Sequence, residues 1–481
     1  MKKTLSLLLA LVLVLGTFAL AEEKLTVFIS GSGNPLEEDN VLLPNIKEAM
    51  GCDVEWTVVS AEYETQLSAR LMGGDAPDIF TVPYELAPTF VQQGLLLNIG
   101  DYLDQMPDFV ANYSESQMAN CMVGGEMYLI AARPYSPYAD VSIRRDWLDN
   151  LNLAMPTTLD ELYDVLYAFT YKDPDGNGKD DTYGLTGKGL GAFAPFLRAY
   201  GTSVPDEFLI ENGEVVYTSI DPDFKEAIKF IQKVINAGIV DPEIMSNQGL
   251  EHCDKAYNGK AGILVQSFWE IFKATYMETI LEINPNARWE LMPGVTGPGG
   301  RYDVVYDPSN ASGGYYGINA DLADDPEHLA TVLKLFNWMC TEDGQKGTLF
   351  GTKGVHYDLD EDGNIVPLPD LSKITYSYLY CLVGRDDIPY LKAKFSYLLD
   401  QIEYCGQMTT LSKYNSKVTV PETINLADIT TYATEELTRF IYGERPLDEW
   451  DSYVDTILNV FGLSTYLDSA KAELAQKGFL G

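Results

Sequence analysis

The sequence is poor in histidine and in basic residues. It contains 3 histidines among 481 residues, too few and too scattered for a zinc site of the usual spacing. Lys and Arg number 33 against 71 Asp and Glu, which gives a net charge of -38. A field of this sign repels phosphate backbones and anionic lipid surfaces. We therefore expect neither a nucleic acid nor a membrane surface as a partner.

The sequence also lacks the short motifs of the common enzyme classes. It has no Gly-x-Ser-x-Gly elbow, no phosphate-binding loop, no His-Glu-x-x-His and no Gly-x-Gly-x-x-Gly between a strand and a helix. Among 71 acidic residues a carboxylate pair can always be chosen as a glycosidase dyad, so such a pair has no discriminating value. We expect no enzymatic activity.

No uninterrupted apolar run reaches the roughly 20 residues that a bilayer-spanning helix needs. At the N-terminus two lysines precede the apolar stretch 7–15, and Ala19-Leu20-Ala21 supplies small residues at a cleavage position. This pattern predicts a secretory signal peptide over residues 1–21 and a mature chain from Glu22. Since no cysteine follows the cleavage position, we expect an exported chain, periplasmic or extracellular, without a lipid anchor.

Cysteine is sparse and widely spaced. An exported protein permits disulfides, but the spacing selects no pairing and a chain of this size does not need them. The six cysteines are Cys52, Cys121, Cys253, Cys340, Cys381 and Cys405.

Short apolar strands alternate with capped amphipathic helices, which predicts an α/β architecture. The chain is 46% hydrophobic, and its length exceeds what one core usually holds, so we expect two or more cores. N-cap residues and following apolar periodicity predict helices that begin at Ser60, Thr158, Asp221 and Asp325. The predicted strands cover residues 25–29, 54–59, 77–83 and 262–266.

Residues 173–181 match the first part of a calcium-binding loop, with oxygen ligands at alternate positions and a glycine at the sharp turn. The match is incomplete, because Gly184 stands where an EF-hand has its bidentate glutamate. The same composition is also typical of a surface turn. We predict a structural Ca²⁺ that clamps this loop. The expected ligands are Asp173, Asp175, Asn177, Asp181 and the backbone oxygen of Lys179.

A second acidic stretch, residues 358–364, has its glycine at the sixth position but no later acid to complete a cage. Apolar Ile365 and Val366 follow at once. We expect a β-hairpin turn there.

Aromatic residues are abundant, with 31 Tyr, 19 Phe and 6 Trp. Sugar rings present apolar faces and hydroxyls, so sugar sites combine aromatic platforms with hydrogen-bonding side chains. Trp269 is the strongest candidate, because the predicted strand 262–266 would deliver it to a strand end, where ligands bind in open α/β sheets. Each ring alone is more often a core residue than a platform. Further candidates are Tyr84, Tyr138, Tyr315 and Tyr316, with Glu85 beside Tyr84.

Several segments, in order along the chain, resemble the extracellular solute-binding proteins of bacterial ABC importers, in particular the large family-1 type associated with oligosaccharide uptake. Each segment is weak alone, but the ordered set is specific and spans most of residues 22–467. The resembling segments are residues 74–79, 144–151, 156–162, 173–178, 259–262, 354–357 and 443–453.

The resemblance implies a two-lobed periplasmic-binding-protein type II fold, in which two mixed-sheet α/β lobes are joined by hinge segments with a ligand cleft between them. Residues 22–138 with about 295–352 would form the N-terminal lobe. Residues 139–294 with about 353–481 would form the C-terminal lobe, which carries the calcium loop.

Arg144 and Arg145 lie near the expected crossing between the lobes, where they could donate charge-assisted hydrogen bonds to sugar hydroxyls. A structural ion pair at the foot of the next helix is an equally good interpretation.

Together these patterns predict a monomeric, non-enzymatic binding protein that captures a carbohydrate, expected to be an oligosaccharide, by lobe closure and delivers it to ABC transporter permease subunits. Two alternatives stay open: a secreted glycan-active hydrolase or lyase with a calcium-stabilised loop, and a glycan sensor without transport. The negative charge argues against a polyanionic ligand, although an arginine pair inside the cleft could reverse this.

Overall fold

The computed structural model of the chain describes residues 24–31, 40–308, 314–374 and 376–480. The predicted signal peptide, residues 1–21, lies outside the described residues. Within the described ranges, no helix combines the length and the apolarity needed to cross a membrane. The six cysteines are free thiols, and all except Cys52 are buried.

The chain folds into two compact units, each assembled from separate stretches of sequence. Unit 1 contains residues 1–135 and 311–394, and unit 2 contains residues 136–310 and 395–481. The chain therefore passes between the units after residues 135, 310 and 394.

Residues 295–310 belong to unit 2, whereas the sequence placed them in the N-terminal lobe. The strand Val304–Tyr306 pairs in parallel with Thr410–Ser412, which is also in unit 2. This pairing joins residues more than a hundred positions apart, so no local pattern could reveal it.

Residues 353–394 belong to unit 1, whereas the sequence placed them in the C-terminal lobe. The ring of Tyr390 lies 5.4 Å from the ring of Phe350, and the Lys394 ammonium donates to the carbonyl of Ile374 at 2.9 Å. These contacts keep the segment with the unit that precedes it in the chain.

Unit 1 is built on a five-stranded mixed sheet. The strand Lys24–Ser30 pairs in parallel with Asp53–Val59 and with Ile79–Thr81. The strand Tyr315–Ile318 runs antiparallel to both Ile79–Thr81 and Ile130–Ala131. The first three strands confirm predicted strands, although the third is shorter than residues 77–83 because prolines flank it.

Two hairpins accompany this sheet, Met122–Val123 with Glu126–Met127 and Tyr357–Leu359 with Ile365–Pro367. The second confirms the predicted hairpin turn at residues 358–364. The α-helices of unit 1 in the described ranges are Leu43–Met50, Tyr63–Gly73, Ala87–Gln92, Pro107–Asn112, Glu115–Asn120, Pro326–Cys340, Glu342–Leu349 and Asp387–Lys394. Its 3-10 helices are Tyr84–Leu86, Ile99–Gln105, Ala320–Asp324, Pro369–Lys373 and Ser377–Leu379.

Unit 2 contains a four-stranded mixed sheet. The strand Val141–Arg144 lies antiparallel to both Trp289–Leu291 and Ala261–Val265. The strand Tyr183–Thr186 runs parallel to Ala261–Val265. All five residues of Ala261–Val265 are buried, as its continuous apolar sequence predicts.

The remaining strands of unit 2 are Phe208–Glu211 with Glu214–Tyr217, and Val304–Tyr306 with Thr410–Ser412. Its described α-helices are Arg145–Asn150, Leu159–Tyr171, Ala194–Ala199, Pro222–Asn236, Glu251–Tyr257, Trp269–Phe272, Ala274–Ile283, Leu399–Cys405, Leu426–Ile441, Trp450–Asn459 and Leu463–Gln476. Its 3-10 helices are Gly189–Phe193, Thr218–Ile220, Ser396–Leu398, Asn415–Lys417 and Leu447–Glu449.

Three of the four predicted N-caps are confirmed. The side chains of Thr158, Asp221 and Asp325 each accept a hydrogen bond from a backbone N–H in the first turn that follows. The prediction for Ser60 is wrong, because that helix begins after Glu62, whose backbone is left-handed and whose side chain makes no capping bond.

Candidate functional site

Trp269 follows the buried strand Ala261–Val265 and begins the short helix Trp269–Phe272. Two backbone hydrogen bonds, to the carbonyls of Ala139 and Asp140, fix the turn between the strand and the helix. The Trp269 side chain is half-buried. The sheet therefore delivers this ring to a strand end with part of its surface accessible, as the sequence predicts.

Trp269 is the centre of a group of rings in unit 2 that we call the Trp269 cluster: Tyr138, Phe268, Trp269, Phe395 and Tyr397. The Trp269 ring centroid lies 4.3 Å from Phe268, 5.0 Å from Phe395 and 5.7 Å from Tyr138. Tyr397 lies 6.4 Å from Phe395 and is 56% exposed. Phe268 is buried, Tyr138, Trp269 and Phe395 are half-buried, and Tyr397 is exposed, so the cluster joins a buried ring to rings with accessible surface.

The sequence predicted two members of this cluster, Trp269 and Tyr138, and the structure brings them together edge to face. It missed Phe395 and Tyr397, which directly follow the point where the chain re-enters unit 2. Nothing in their local sequence marks them, because their neighbours come from a stretch more than a hundred residues earlier.

Polar groups stand next to these rings in the sequence. The Asp140 carboxylate accepts two hydrogen bonds from the buried Arg198 guanidinium, at 2.7 and 2.9 Å. The Glu270 Oε2 atom is shielded and has no hydrogen-bond partner among the described residues. The Glu270 charge raises the pKa of the Tyr276 hydroxyl. Glu270 is thus an acceptor that the sequence did not single out.

Tyr84 and Tyr315 form a ring pair in unit 1. Tyr84 begins the 3-10 helix that follows the strand Ile79–Thr81, and Tyr315 begins the antiparallel neighbour of that strand. Their ring centroids lie 4.7 Å apart. The structure therefore joins two predicted candidates, of which Tyr84 is the more accessible. The Glu85 side chain lies outside the described residues.

Tyr316 does not present a ring to a ligand, contrary to the prediction. Its side chain is 4% exposed, and burial raises its pKa far above the ordinary value. Successive residues of a strand point to opposite faces, so Tyr316 enters the core of unit 1 when Tyr315 faces Tyr84.

Arg144 is a structural residue. The prediction that it contacts sugar is therefore wrong. Its residue surface is 1% exposed, and its Nε and Nη2 atoms donate to Asp146 at 2.8 and 2.6 Å. The guanidinium lies 4.7 Å from the Trp147 ring and 5.7 Å from the Trp289 ring. The ion pair at the foot of the helix, the alternative left open by the sequence, accounts for this side chain.

Arg145 lies at the surface of unit 2, where acidic side chains surround it. Its Nη2 atom lies 2.7 Å from Asp149, and its Nη1 atom lies 3.9 Å from Glu290. Both predicted arginines are thus committed to carboxylates of the same unit.

The predicted calcium loop begins directly after the helix Leu159–Tyr171. Asn177 links its acids, since Nδ2 donates to Asp175 at 2.8 Å and to Asp181 at 3.2 Å. The Oδ2 atom of Asp173 accepts from a backbone N–H within the loop at 3.0 Å. The predicted side-chain ligands therefore lie close together.

The charges within this loop are only partly balanced. Lys260 pairs with Asp181 at 2.8 Å and lowers the pKa of that carboxyl group. The pKa of Asp175 is raised, chiefly by burial and also by the neighbouring charges of Asp173 and Asp181. The Oδ1 atom of Asp173 is shielded and has no hydrogen-bond partner in the described part of the chain. This orphaned oxygen between repelling carboxylates fits a hard divalent cation.

The described ranges contain no group of three or more His, Cys, Asp or Glu that is already arranged as a metal cage. In the loop, Asn177 directs its amide N–H₂ at the acids while its Oδ1 accepts from the Lys179 backbone N–H at 2.8 Å. A bound cation would require Asn177 to present its oxygen instead.

Packing explains why the twelfth position of the loop is glycine. Gly184 lies in the strand Tyr183–Thr186, and a Cβ atom there would lie 2.7 Å from the Cα of Leu166 and 2.8 Å from the carbonyl of Ile239. A glutamate ligand is sterically excluded at this position.

Residues 40–346 match the model of a family described as bacterial extracellular solute-binding proteins. The chain is 29% identical over 321 residues to the polygalacturonan/rhamnogalacturonan-binding protein YtcQ of Bacillus subtilis (strain 168). That alignment covers 64% of this chain and 61% of the relative, so the chain spans about three fifths of its length.

Two solved structures share the fold at 20% identity. An extracellular solute-binding protein from Bifidobacterium longum subsp. infantis gives a TM-score of 0.70 and covers 96% of this chain and 100% of its own. The S. pneumoniae substrate-binding protein FusA in complex with kestose gives a TM-score of 0.63 and covers 94% of this chain and 99% of its own. These likenesses show the two-lobed α/β fold.

Proposed function

The chain belongs to the bacterial extracellular solute-binding proteins, and from this membership we propose that it is the exported binding component of an ABC transporter for a carbohydrate. YtcQ is named as a polygalacturonan/rhamnogalacturonan-binding protein, and the FusA structure holds kestose. Those ligands belong to those proteins; their shared chemistry supports an oligosaccharide as the cargo here.

The Trp269 cluster is the observation that carries the proposal. A partly accessible indole, packed against buried Phe268 and half-buried Phe395, offers an apolar face of the kind that stacks on a pyranose or furanose ring. Glu270 directly follows Trp269, and Asp140 lies two residues after Tyr138. Carboxylates accept hydrogen bonds from sugar hydroxyls. The Tyr84 and Tyr315 pair of unit 1 is a separate aromatic surface of the same kind.

The charge distribution favours a neutral oligosaccharide over a polyuronate. Three arginines of unit 2, Arg144, Arg145 and Arg198, pair with Asp146, Asp149 and Asp140 respectively, so they are not available to a uronate group near the Trp269 cluster. The net charge of -38 adds long-range repulsion of any polyanion.

We propose that the two lobes close on the sugar and that the closed monomer then delivers it to permease subunits. A ligand shifts an open–closed equilibrium only by its differential affinity for the closed form, so residues from both lobes must contact it. Small-angle scattering should show a smaller radius of gyration at saturating ligand, with no change in molecular mass.

The test of the cargo is calorimetric titration with kestose, maltotriose and trigalacturonate. We expect a neutral sugar to bind saturably and W269A to weaken it at least about tenfold, equivalent to about 1.4 kcal/mol. Y167A is the matched control, because Tyr167 is an exposed ring of the same unit outside the cluster. Equal affinity of W269A and the wild type, or preference for trigalacturonate, contradicts the proposed site.

The same samples test the absence of enzymatic activity. Prolonged incubation with each sugar should release no new reducing ends while binding remains saturable. Turnover that depends on the purified chain would instead favour the hydrolase or lyase.

We propose that Asp173, Asp175, Asn177, Asp181 and the Lys179 carbonyl hold a structural Ca²⁺. The ion would neutralise the carboxylates that repel each other and give the orphaned Asp173 oxygen a partner. Calorimetry on chelated protein should show one site in the wild type and none in D175N. D180N is the matched control, since Asp180 is exposed and lies between ligand positions. Identical calcium affinity in D175N and D180N would contradict the assignment.

We also propose that residues 1–21 are removed on export and that the chain carries no lipid. N-terminal sequencing of the exported protein should begin at Glu22, and intact mass should equal that of residues 22–481 without an added acyl group. A blocked or acylated N-terminus would overturn this part of the proposal.

A further inference from the structure

A cavity of about 710 Å³ lies within unit 1. None of its lining residues is a candidate for the carbohydrate site or the calcium site. The helices Glu342–Leu349 and Asp387–Lys394 form two of its sides. Leu349, Phe350 and Ile388 line it with apolar surface. Its volume is in the range of pockets that hold small organic ligands.

Arg133 is the unusual group in this lining. Its Nη2 atom donates to the carbonyl of Gly384 at 3.1 Å, while its Nε atom is shielded from solvent and has no hydrogen-bond partner among the described residues. It also forms no ion pair with a carboxylate in the described ranges, although most arginines of this acidic chain do. Arg133 is half-buried, and leaving its Nε–H shielded and unsatisfied without a counter-charge is costly, so the site favours an anion.

The Arg133 backbone is held in place before any ligand arrives. Its N–H donates to the carbonyl of Val383 at 3.0 Å, and the hydroxyl of Tyr113 donates to the same carbonyl at 3.1 Å. Gly384 has a φ of 71°, and a Cβ atom there would lie 2.4 Å from the Arg133 nitrogen. Glycine is therefore required for this close contact, and the hydrogen bond from Nη2 to the Gly384 carbonyl holds the guanidinium, whose Nε–H remains to be donated.

Three ionisable groups that feel the Arg133 charge, Cys340, Cys381 and Tyr113, do not supply the missing negative charge. Burial raises the pKa of the Cys340 thiol to about 12 and also raises the pKa values of Cys381 and Tyr113. All three are neutral at pH 7, so none of them balances the charge of the guanidinium.

The remaining charges of the lining limit the ligand. Lys346 pairs with Glu342 within one helix. The lining carries three basic side chains, Arg133, Lys346 and Lys392, and two acidic ones, Glu342 and Asp386. A net charge of about one positive unit suits a monoanion and disfavours a dianion.

We propose that this cavity binds a small organic monoanion with an apolar body, such as an aliphatic or aromatic carboxylate, and that Arg133 binds its carboxylate group. The apolar wall contacts the body of the ligand, and the two acidic side chains exclude more highly charged molecules. This site is separate from the proposed carbohydrate site and does not depend on it.

The test uses matched probes that differ only in charge: hexanoate against hexanamide, and phenylacetate against phenylacetamide, titrated at constant ionic strength. We expect saturable binding of a carboxylate in the millimolar range or tighter, about 4 kcal/mol or more, with its amide at least about tenfold weaker. Acetate and inorganic phosphate should bind more weakly than the carboxylate with an apolar body.

Two variants locate the site. R133Q should abolish the preference for carboxylate over amide, whereas R70Q should retain it, because Arg70 is a solvent-accessible arginine of the same unit paired with Asp75. If R133Q does not fold, A393L provides the second test by filling the cavity from the helix Asp387–Lys394 while leaving Arg133 intact.

A direct readout is the side-chain Nε–H signal of Arg133 in ¹⁵N-arginine-labelled protein, assigned by its loss in R133Q. It should shift on titration with the carboxylate and not with the amide. Absence of carboxylate binding up to about 10 mM, equal binding of acid and amide, or an unchanged preference in R133Q or A393L overturns the proposal. Equal binding of acetate or phosphate overturns the role of the apolar wall.

Discussion

Replacing Glu211 with glutamine removes one carboxylate from the hairpin of Phe208–Glu211 and Glu214–Tyr217. In the native protein, burial and then the charges of Asp221 and Asp223 raise the pKa of Glu211 from 4.5 to about 7. The ionised carboxylate is thus less stable in the folded chain than in the unfolded chain.

The size of the effect follows from this pKa. A pKa about 2.5 above the ordinary value corresponds to about 3 kcal/mol. Glu211 is only half-buried, so solvent screening lowers the expected stabilisation by E211Q to about 1–2 kcal/mol at pH 8.

The direction follows from proton linkage. The favourable contribution of protonated Glu211 to folding is fully present below about pH 4.5 and is lost as the pH rises through about 7. Glutamine stays neutral throughout, so the difference in stability between E211Q and the wild type should be near zero at pH 4.5 and should grow up to pH 8.

Urea unfolding at several pH values between 4.5 and 8 measures this difference. E214Q is the matched control, because Glu214 is exposed, lies directly opposite Glu211 and changes the net charge equally. The reasoning is refuted if the E211Q difference does not vary with pH, or if E214Q gives the same pH-dependent gain.

Three further changes test the packing of unit 2. R144Q should lower the free energy of unfolding by about 3–5 kcal/mol, because it leaves the Asp146 carboxylate without its ion-pair partner. R145Q should change the free energy of unfolding by less than about 1 kcal/mol. Equal urea midpoints of the two variants would contradict the structural role of Arg144. G184E should lower the melting temperature and should not tighten calcium binding, since the side chain meets the Leu166 backbone; a gain in calorimetric affinity would refute this. T158A should cost about 1 kcal/mol through the lost N-cap bond, and thermal unfolding should detect it.

Local signals in the sequence predicted local structure well. The strand that precedes Trp269 is a continuous apolar run, and the helix that follows Asp325 starts with an N-cap and a proline, so both can be recognised without distant contacts. Ser60 failed because a favourable N-cap residue type does not fix where the first helical turn closes.

Features that depend on distant pairing could not be predicted in this way. Phe395 reaches Trp269, and the strand Val304–Tyr306 reaches Thr410–Ser412, only because the tertiary fold brings separate stretches together. The type of a residue also did not reveal its burial. Tyrosine and arginine often contact ligands, yet packing places Tyr316 and Arg144 inside their units.

The interleaved order of the two units has a consequence for how the polypeptide matures. The strand Tyr315–Ile318 sits between Ile79–Thr81 and Ile130–Ala131, although it is synthesised nearly two hundred residues after the latter. A nascent chain that has emerged only to residue 310 exposes two strand edges that invite pairing with another copy. Translocation before folding would avoid this hazard. Because each unit is made of two separate stretches of sequence, a fragment cloned as one contiguous piece cannot reproduce either unit.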